Sequence, residues 1–267
     1  SITYSQLSKT HYIPPLTHAA EGNANAVDQW IYISTPSTSS VNVSILPVGG
    51  TAQTITVQND QPQKVQVSTN GYSQLYVEAN TTSQVMNNKG YIIDADKPIY
   101  VSVRVNAGGV EGSDDSSAQA GALVTKGLDG LGRIFRVGTF NSQSNSANFN
   151  NYLNFLSVMA TEDNTTVNFT NNYTSGFVIE NYSGQFPVNN IQLNRGESYV
   201  IALELKDTST ATTQDAVTRN RDGLIGTLIQ SDKDIVVNSG SSNGSFHNGG
   251  ARDYGIDQIV DLSRVGK

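Results

Sequence analysis

The sequence contains no cysteine, one tryptophan (Trp30), three histidines and few charged side chains. Without cysteine, neither a disulfide nor a cysteine-ligated metal site can form. Lysine and arginine total 16 against 23 acidic residues, a net charge of −7. A chain this poor in cations lacks the positive field that nucleic-acid binding needs. No apolar run approaches the roughly 18 residues of a membrane span, so we expect neither nucleic acid nor direct membrane insertion.

Neutral polar side chains take the place of the missing charges. Charged residues make up 15% of the 267 residues, against roughly 25% in an ordinary globular protein. Asparagine alone occurs 27 times. Aliphatic and aromatic residues recur regularly between the polar ones, which argues against the disorder that low charge and low hydrophobicity can indicate. The composition is typical of secreted bacterial β-proteins.

The apolar residues recur with a period of two. Short β-branched and aromatic runs are bounded by Gly, Asn, Asp and Pro, as in residues 29–34, 41–45, 99–105 and 234–237, and this is the pattern of strands. Alternation gives each strand one buried and one solvated face, as antiparallel sheets allow. The sequence therefore predicts an all-β fold of two tandem antiparallel β-sandwich-like repeats, with a β-propeller-like arrangement as the alternative.

Two segments are predicted as tight turns. Asn194-Arg195-Gly196 lies between two strand patterns, which predicts a hairpin with glycine at positive φ. Residues 94–98 (DADKP) separate two further apolar runs, and Asp and Pro both suit a turn there.

An internal repeat organises the chain. Residues 90–99 (GYIIDADKPI) return as 226–235 (GTLIQSDKDI), an offset of 136 residues. Weaker matches relate 40–43 to 166–169 at offset 126 and 132–138 to 260–266 at offset 128. Loop insertions between two copies of one unit produce such variation. We predict an N-terminal extended segment 1–27, a first repeat 28–140 and a second repeat 141–267, in an array expected to continue.

Several strings resemble a known family. They are HYIPPL (11–16), IYISTPS (31–37), AQAGALV (118–124), RVGTF (136–140), LSVMATEDNTTV (156–167), NGSFHNGG (243–250) and DYGIDQIV (253–260). Together they resemble the N-terminal domain of IgG Fc-binding-type proteins, in particular its bacterial branch in large secreted surface proteins of gliding Bacteroidetes.

The resemblance implies an exported protein at the cell surface, associated with the outer membrane, with a role in adhesion or gliding. Type IX secretion is implied by analogy alone, because no sorting domain is present in these residues. Ser1 stands just before the HYIPPL string, as after removal of a signal peptide. Immunoglobulin binding is not carried over, because no Fc-contacting motif can be mapped onto the sequence.

Few residues could support catalysis, and we predict no enzyme. Serines at 241, 242 and 245 lie close to His247 but lack the strand–nucleophile–helix context of a hydrolase elbow. The other histidines are His11 and His18. Glycoside hydrolysis needs two opposed carboxyl groups, and no acidic pair lies in an aromatic-rich stretch.

Candidate binding and metal residues cluster in short strings. The binding candidates near the end of the second repeat are His247, Arg252, Asp253, Tyr254 and Asp257. This string and its repeat partner 120–129 are predicted to pack between the repeats, with ligand contact as the alternative. Acidic loops supply oxygen ligands for Ca²⁺, and a structural Ca²⁺ is the one cofactor considered, with Asp114, Asp115, Glu162 and Asp163 as ligands.

Tyrosines fall into two groups. Those on strands (Tyr32, Tyr100 and Tyr199) are expected to be half-buried structural residues. Those in Asn- and Gly-rich stretches (Tyr152, Tyr173, Tyr182 and Tyr254) are expected to make exposed contacts.

Three hypotheses for function follow. The first is a non-catalytic module of a surface adhesin or gliding-associated protein that binds a surface protein or polysaccharide, or spaces other modules of the same assembly. The second is a carbohydrate-active enzyme or Ca²⁺-dependent lectin. The third is the protomer of a surface filament, joined by strand addition through residues 1–25.

Overall fold

A computed structural model describes residues 6–18, 26–107, 119–138, 154–172, 177–204, 223–244 and 253–265. These residues form strands and three short 3₁₀ helices, with no α-helix among them. The strands are β1 Ser8–Ile13, β2 Leu16–His18, β3 Asp28–Ser34, β4 Val41–Pro47, β5 Gln53–Val57, β6 Gln63–Ser68, β7 Tyr76–Glu78, β8 Val85–Met86, β9 Tyr91–Asn106, β10 Ala120–Val124, β11 Gly132–Arg136, β12 Asn154–Ala160, β13 Thr165–Thr170, β14 Val178–Ile179, β15 Val188–Leu193, β16 Ser198–Glu204, β17 Leu228–Gly244 and β18 Asp253–Ile259. The 3₁₀ helices are η1 Ala79–Thr81, η2 Gly127–Gly130 and η3 Leu262–Arg264.

Each of the two large sheets is organised around one long strand. The 16-residue β9 pairs with β1 and β4 along its N-terminal half and with β3 and β10 along its C-terminal half. The 17-residue β17 pairs likewise with β11 and β13, then with β12 and β18. Both edges of each long strand are thereby occupied.

The predicted repeat is confirmed by the order of the strands. The path β5-β4-β9-β3-β6 of the first sheet corresponds to β15-β13-β17-β12-β16 of the second, and β1 and β10 correspond to β11 and β18. The predicted all-β, sandwich-like fold is confirmed as well, with two curled sheets in place of propeller blades.

The ladders correct the two weaker sequence matches. Val43 lies opposite Ala95 and Val167 opposite Ser231, so these strands correspond at an offset of 124, not 126. At the other end, Gly121 pairs with Val105 and Gly255 with Ser241, so β10 and β18 correspond at an offset of 134. At this offset residues 260–266, which follow β18, correspond to 126–132 and not to 132–138. A slip of an even number of residues keeps every side chain on the same face, so alternation alone could not reveal either error.

The structure contains one of the two predicted turns and not the other. At 194–197 the turn is confirmed, because Glu197 N donates to Asn194 O at 2.8 Å and Gly196 has φ of 83°. The predicted hairpin is wrong, since β15 pairs with β13 and β16 with β12. At 94–98 the predicted turn is wrong too, because β9 runs through this segment as one strand. The register of β1 against it skips between Ser8 and Thr10, so a bulge absorbs the segment.

An aspartate and a lysine explain why this bulged segment gave the strongest sequence match. Asp96 accepts a hydrogen bond from Asn42 N at 3.2 Å, and its counterpart Asp232 accepts one from Thr166 N at 2.8 Å. Lys97 Nζ donates to the Ser39 hydroxyl. Its counterpart Lys233 Nζ donates to Asp163 O at 2.5 Å. In each repeat the pair ties β9 or β17 to the strand and turn beside it.

The two repeats share a hydrophobic core. One cluster contains the inward side chains of the first sheet together with Phe155, Val200, Ala202, Tyr254 and Ile256 of the second. A second cluster fills the interior of the second sheet alone. In the second sheet β12 and the parts of β16 and β17 beside it therefore have buried side chains on both faces, and one of these faces lies against the first repeat.

In each repeat the segment after the last strand contacts the first strand of the same repeat. In the first repeat Gly127 of η2 lies so close to β1 that an added Cβ would stand 2.4 Å from Ser8 Cβ, and its φ is 57°, so glycine is required there. In the second, Asp261 before η3 accepts hydrogen bonds from Arg133 N at 2.8 Å and Ile134 N at 2.9 Å on β11.

The predicted bounds of the repeats, 28–140 and 141–267, stay a prediction. The ladders place β1 in the first sheet and β11 in the second.

We expect Asp261→Asn to lower the free energy of unfolding by about 1–3 kcal/mol, because a neutral amide accepts these backbone hydrogen bonds less well. Partial burial would raise the Asp261 pKa, but hydrogen bonds from Ser263, Ile134 and Arg133 lower it to about 2. The folded state thus binds this proton less tightly than the unfolded state, so the stabilisation is complete above about pH 4 and is lost as pH falls towards 2. Chemical denaturation of both proteins at pH 5 and pH 2 measures this.

Asp129→Asn is the matched control. Asp129 forms an exposed ion pair with Arg264 at 2.8 Å, and such pairs contribute less than about 1 kcal/mol. An Asp261→Asn effect no larger than that of the control, or one independent of pH, would contradict this role for Asp261.

Candidate binding site

The outward face of the first sheet carries the only tryptophan. On β3 the side chains of Ile31 and Ile33 are buried in the core, so alternation turns Trp30 and Tyr32 to the opposite face. Trp30 lies opposite Gln66 on β6 and Arg104 on β9, and Tyr32 lies opposite Lys64. Ala122 on β10 lies on the other side of Arg104. We call this set (Trp30, Tyr32, Lys64, Gln66, Arg104 and Ala122) the Trp30 face.

Two cations lie on the two aromatic rings. Lys64 Nζ is 4.4 Å from the centroid of the Trp30 ring, and the Arg104 guanidinium carbon is 4.3 Å from the centroid of the Tyr32 ring. Trp30 Nε1 also donates a hydrogen bond of 2.8 Å to Asp28 Oδ1. Cation–π contacts of this kind contribute about 0.5–1 kcal/mol at exposed sites, so both rings and both charged groups have a preferred position.

The Trp30 face borders an open groove. A cavity of about 620 Å³ is lined by Asp28, Trp30, Tyr32, Arg104, Val105, Asn106, Ala120, Gly121 and Ala122. A second cavity of about 370 Å³ shares Tyr32 and Arg104 with it and extends towards Tyr100 and Val124. From Asn106 to Tyr100 the long strand rises about 20 Å, at roughly 3.3 Å per residue. The groove is long enough for an extended chain.

The predicted binding residues on β18 lie at the junction between the repeats. Asp253 Oδ1 accepts a hydrogen bond from Ala120 N at 3.0 Å, and Asp257 forms a 3.4 Å ion pair with Lys126. Tyr254 is 5% exposed, and its ring packs edge-on against Tyr76 at 6.3 Å. The expectation that Tyr254 makes exposed contacts is wrong, because the first repeat covers it. Burial raises its pKa.

Gln258 belongs to the β18 string that was predicted to pack between the repeats, and it holds this junction together. Its side chain is 1% exposed. Its Oε1 accepts from Lys126 N at 2.7 Å, and its Nε2 donates to Tyr12 O at 3.0 Å and to Asn238 Oδ1 at 3.2 Å. Asn238 Nδ2 in turn donates to Pro14 O at 2.9 Å. A buried amide is the signal that could have identified Gln258, but its burial depends on contacts distant in sequence.

The predicted Ca²⁺ ligands are only partly described. Asp163 Oδ1 accepts a hydrogen bond from Arg195 N at 2.9 Å, and the Glu162 carbonyl accepts one from the Thr165 hydroxyl at 2.7 Å. Both residues therefore shape the turn between β12 and β13. Within the described ranges no group of three or more histidine and acidic side chains could hold a metal ion. Asp114, Asp115, His247 and Arg252 lie outside the described residues, and Ca²⁺ binding stays a prediction.

The two described histidines lie in the interior. His18 is fully buried and stacks on Tyr72 with 4.4 Å between ring centroids. His11, also fully buried, has Nε2 at 3.1 Å from Ser8 O and 3.0 Å from Ile99 O. Carbonyl oxygens only accept, so Nε2 carries a proton. Nδ1 lies 2.6 Å from the Thr125 hydroxyl, which itself donates to Val101 O at 3.1 Å. The polar partners of the His11 ring are thus two carbonyl oxygens and a threonine hydroxyl.

Alternation on β3 is the signal that could have singled out the Trp30 face. Because Ile31 and Ile33 are the apolar side of the strand, Trp30 and Tyr32 had to point away from the core. The opposite cations, Lys64 and Arg104, could not be paired with them from the sequence, because β6 and β9 are distant along the chain.

The chain matches the sequence model of a known family. A sequence model of the family described as IgGFc binding protein matches residues 120–267, more than half of the chain. The match begins at β10 and includes the junction and the whole second repeat. No curated protein sequence matches the chain. Among the described residues, no helix has the length and apolar character to cross a membrane.

We expect Gln258→Ala to lower the free energy of unfolding by about 3 kcal/mol, since it leaves Lys126 N and Tyr12 O buried without a partner. Asp257→Ala on the same strand is the control. Its ion pair joins a carboxylate that is 62% exposed, so its loss costs less than about 1 kcal/mol. Urea denaturation measures both, and equal effects would contradict the assigned role of Gln258.

His11 should make stability depend on pH. Burial lowers its pKa from the ordinary value of 6.5, against the opposing effects of hydrogen bonds to Ile99 and Ser8 and of the Asp94 charge. The unfolded state then binds the proton more tightly, so the free energy of unfolding falls as pH drops below about 6.5. His11→Phe, which copies Phe135 at the equivalent position of β11, should reduce this slope between about pH 7.5 and 5.5. An unchanged slope would refute the assignment.

Proposed function

The chain belongs to the IgGFc-binding protein family, and on this premise we propose that it is a non-catalytic binding module of a secreted bacterial surface adhesin or gliding-associated protein. Domains of this family occur in extracellular proteins. The low charge and the absence of cysteine fit a surface module that core packing and strand pairing stabilise. The partner is a surface protein or polysaccharide.

The Trp30 face carries this proposal. Tryptophan, tyrosine and arginine are enriched where proteins contact partners, and here all three stand together over a groove of about 620 Å³. Packing of the core does not require these three residues, because their side chains point away from the core.

The other two hypotheses find less support among the described residues. Asp253 and Asp257 are the acidic pair nearest the predicted site, and both have structural partners across the junction. The strand-addition hypothesis assigns residues 1–25 to a neighbouring chain, whereas β1 from this segment pairs with β9 of its own chain.

The test compares the chain with the double variant Trp30→Ala/Tyr32→Ala on immobilised IgG Fc, fibronectin, alginate and dextran. We expect the unmodified chain to be retained on at least one of these probes and the variant to lose at least tenfold in affinity, because the aromatic contact area is removed. Biolayer interferometry gives both affinities, and thermal unfolding verifies that the variant is folded.

Leu128→Ala/Ile134→Ala is the matched control. Both side chains are exposed, at 57% and 42%, and lie away from the Trp30 face, so their removal should leave binding unchanged. Retention on none of the probes, or equal loss in both double variants, would overturn the proposal.

A further inference from the structure

The two terminal strands of the first sheet are paired with each other at one point only. β5 and β6 end the sheet, and between them Gln61 N donates to Gln58 O at 2.9 Å in an isolated bridge. Along the rest of their lengths their ladders are with β4 and β3. We call the outer edges of the two strands, Gln53–Val57 and Gln63–Ser68, the β5–β6 edge. In the part of the chain that the structure describes, no further strand is paired with it.

The second repeat covers the counterpart of this edge. The outer edge of β16, which corresponds to β6, pairs with β14 of its own repeat and with β8 of the first repeat. Between these short strands Ala202 O accepts a hydrogen bond from Glu180 N, and Val200 O accepts one from Ser83 N, both at 2.8 Å. A strand at this position of the fold therefore accepts an added strand, including one from outside its own repeat.

The difference between the repeats arises in one connection. β13 and β15 are joined by residues 171–187, which contain β14, whereas β4 and β5 are joined by residues 48–52. The first repeat thus has no counterpart of β14 between β4 and β5.

Apolar side chains at the β5–β6 edge are correspondingly less buried. Val65 corresponds to Ile201, because the ladders through β3 and β12 lead both residues to equivalent positions of β9 and β17. Ile201 is fully buried in the core of the second sheet. Val65 is half-buried at the margin of the first core, as are Ile55 and Val67. A further apolar side chain placed against these three would complete the margin of the core.

β5 also carries no feature that hinders pairing with another chain. Its residues (QTITV) are uncharged, and its ladder with β4 has no bulge. In its counterpart β15 the register shifts opposite Val167 and Phe169, and Asn190 has φ of 59°. Charges and bulges protect terminal strands from pairing with other chains, so of these two strands only β15 is protected.

We propose that an extended segment of a partner protein adds to the β5–β6 edge and pairs with β6. One N–H of this segment donates to Gln66 O, the counterpart of Ala202 O. Its apolar side chains pack on Ile55, Val65 and Val67. This goes beyond the proposed function, because the segment uses the edge and the inner face of β6, whereas the Trp30 face lies on the outer side of the sheet.

The covering segment of the second repeat indicates the chemistry of the partner segment. In residues 177–180 (FVIE), Phe177 and Ile179 are 3% and 2% exposed, whereas Val178 between them is 37% exposed. An extended segment with large apolar side chains at alternate positions therefore fits. The terminal strands β5 and β6 of a second copy of this chain do not fit, because their apolar side chains already pack on their own core.

A peptide with the sequence of residues 175–183 (SGFVIENYS) tests the proposal. The peptide is labelled with fluorescein and titrated with the full chain, and fluorescence anisotropy measures its affinity. We expect saturable binding. The same binding is expected with the variant Trp30→Ala/Tyr32→Ala, because the Trp30 face does not contact the added strand.

Two methylated peptides test whether the main chain pairs with β6. N-methylation at the residue equivalent to Glu180 removes the donor to Gln66 O and should weaken binding at least about tenfold. N-methylation at the residue equivalent to Ile179 is the matched control. Successive N–H groups of a strand point to opposite sides, so this one points away from β6, and its methylation should leave the affinity unchanged.

Two double variants of the chain locate the site. Val65→Thr/Val67→Thr keeps the shape of both side chains and should weaken peptide binding about tenfold, because the contact loses apolar area. Val124→Thr/Val265→Thr is the control. Both of its valines are exposed, at 37% and 63%, and lie outside the β5–β6 edge, so peptide binding should be unchanged. Thermal unfolding verifies that both variants are folded.

Four outcomes would overturn the inference: no saturable binding of the peptide, equal affinity of the two methylated peptides, equal loss in both double variants, or dimers in light scattering that Val65→Thr/Val67→Thr abolishes. The last would assign the edge to a second copy. If Trp30→Ala/Tyr32→Ala loses binding to the immobilised probes while the peptide does not bind, the proposed function stands and this inference falls. Peptide binding without retention on any probe would have the reverse meaning.

Discussion

Pairing along both edges of β9 and β17 is the constraint from which the rest of the architecture follows. Each long strand carries two shorter strands on each side, so its backbone groups are satisfied along its length. The long strand holds the short strands in register, and the side chains of all these strands must alternate between core and surface. In a chain without cysteine, this pairing and the shared core supply the stability that small secreted domains otherwise obtain from disulfides.

The sequence predicted the features that depend on local pattern. Alternation in 29–34 and 41–45 predicted strands, and the recurrence of Gly90, Asp96 and Lys97 as Gly226, Asp232 and Lys233 predicted two copies of one unit. Those residues recur because they fix a bulge and a neighbouring turn in each copy. The bulge itself was taken for a turn, since a strand that continues through Asp and Pro depends on the four strands beside it.

Features that depend on what lies opposite a residue could not be predicted. Tyr254 lies in a glycine-rich string that looks exposed, yet the first repeat covers it. Gln258 follows closely and holds three backbone and side-chain partners from both repeats. Tyr32 is half-buried, as its strand pattern predicted, but the cations that lie on Trp30 and Tyr32 come from β6 and β9. In each case the neighbour that decides the role is far along the chain.

The closure of each repeat near its own beginning bears on how the protein would carry a mechanical load. Gly127 lies against Ser8, and Asp261 holds the start of β11, so the chain enters and leaves a repeat at nearly the same point. A force that pulls on the two ends of a repeat would then act across these short contacts. The sheets would lie outside the direct path of that force. In the second repeat the force would act first on the hydrogen bonds of the Asp261 carboxylate, and in the first repeat on the contact of Gly127 with Ser8, before it reached the ladders of β17 and β9.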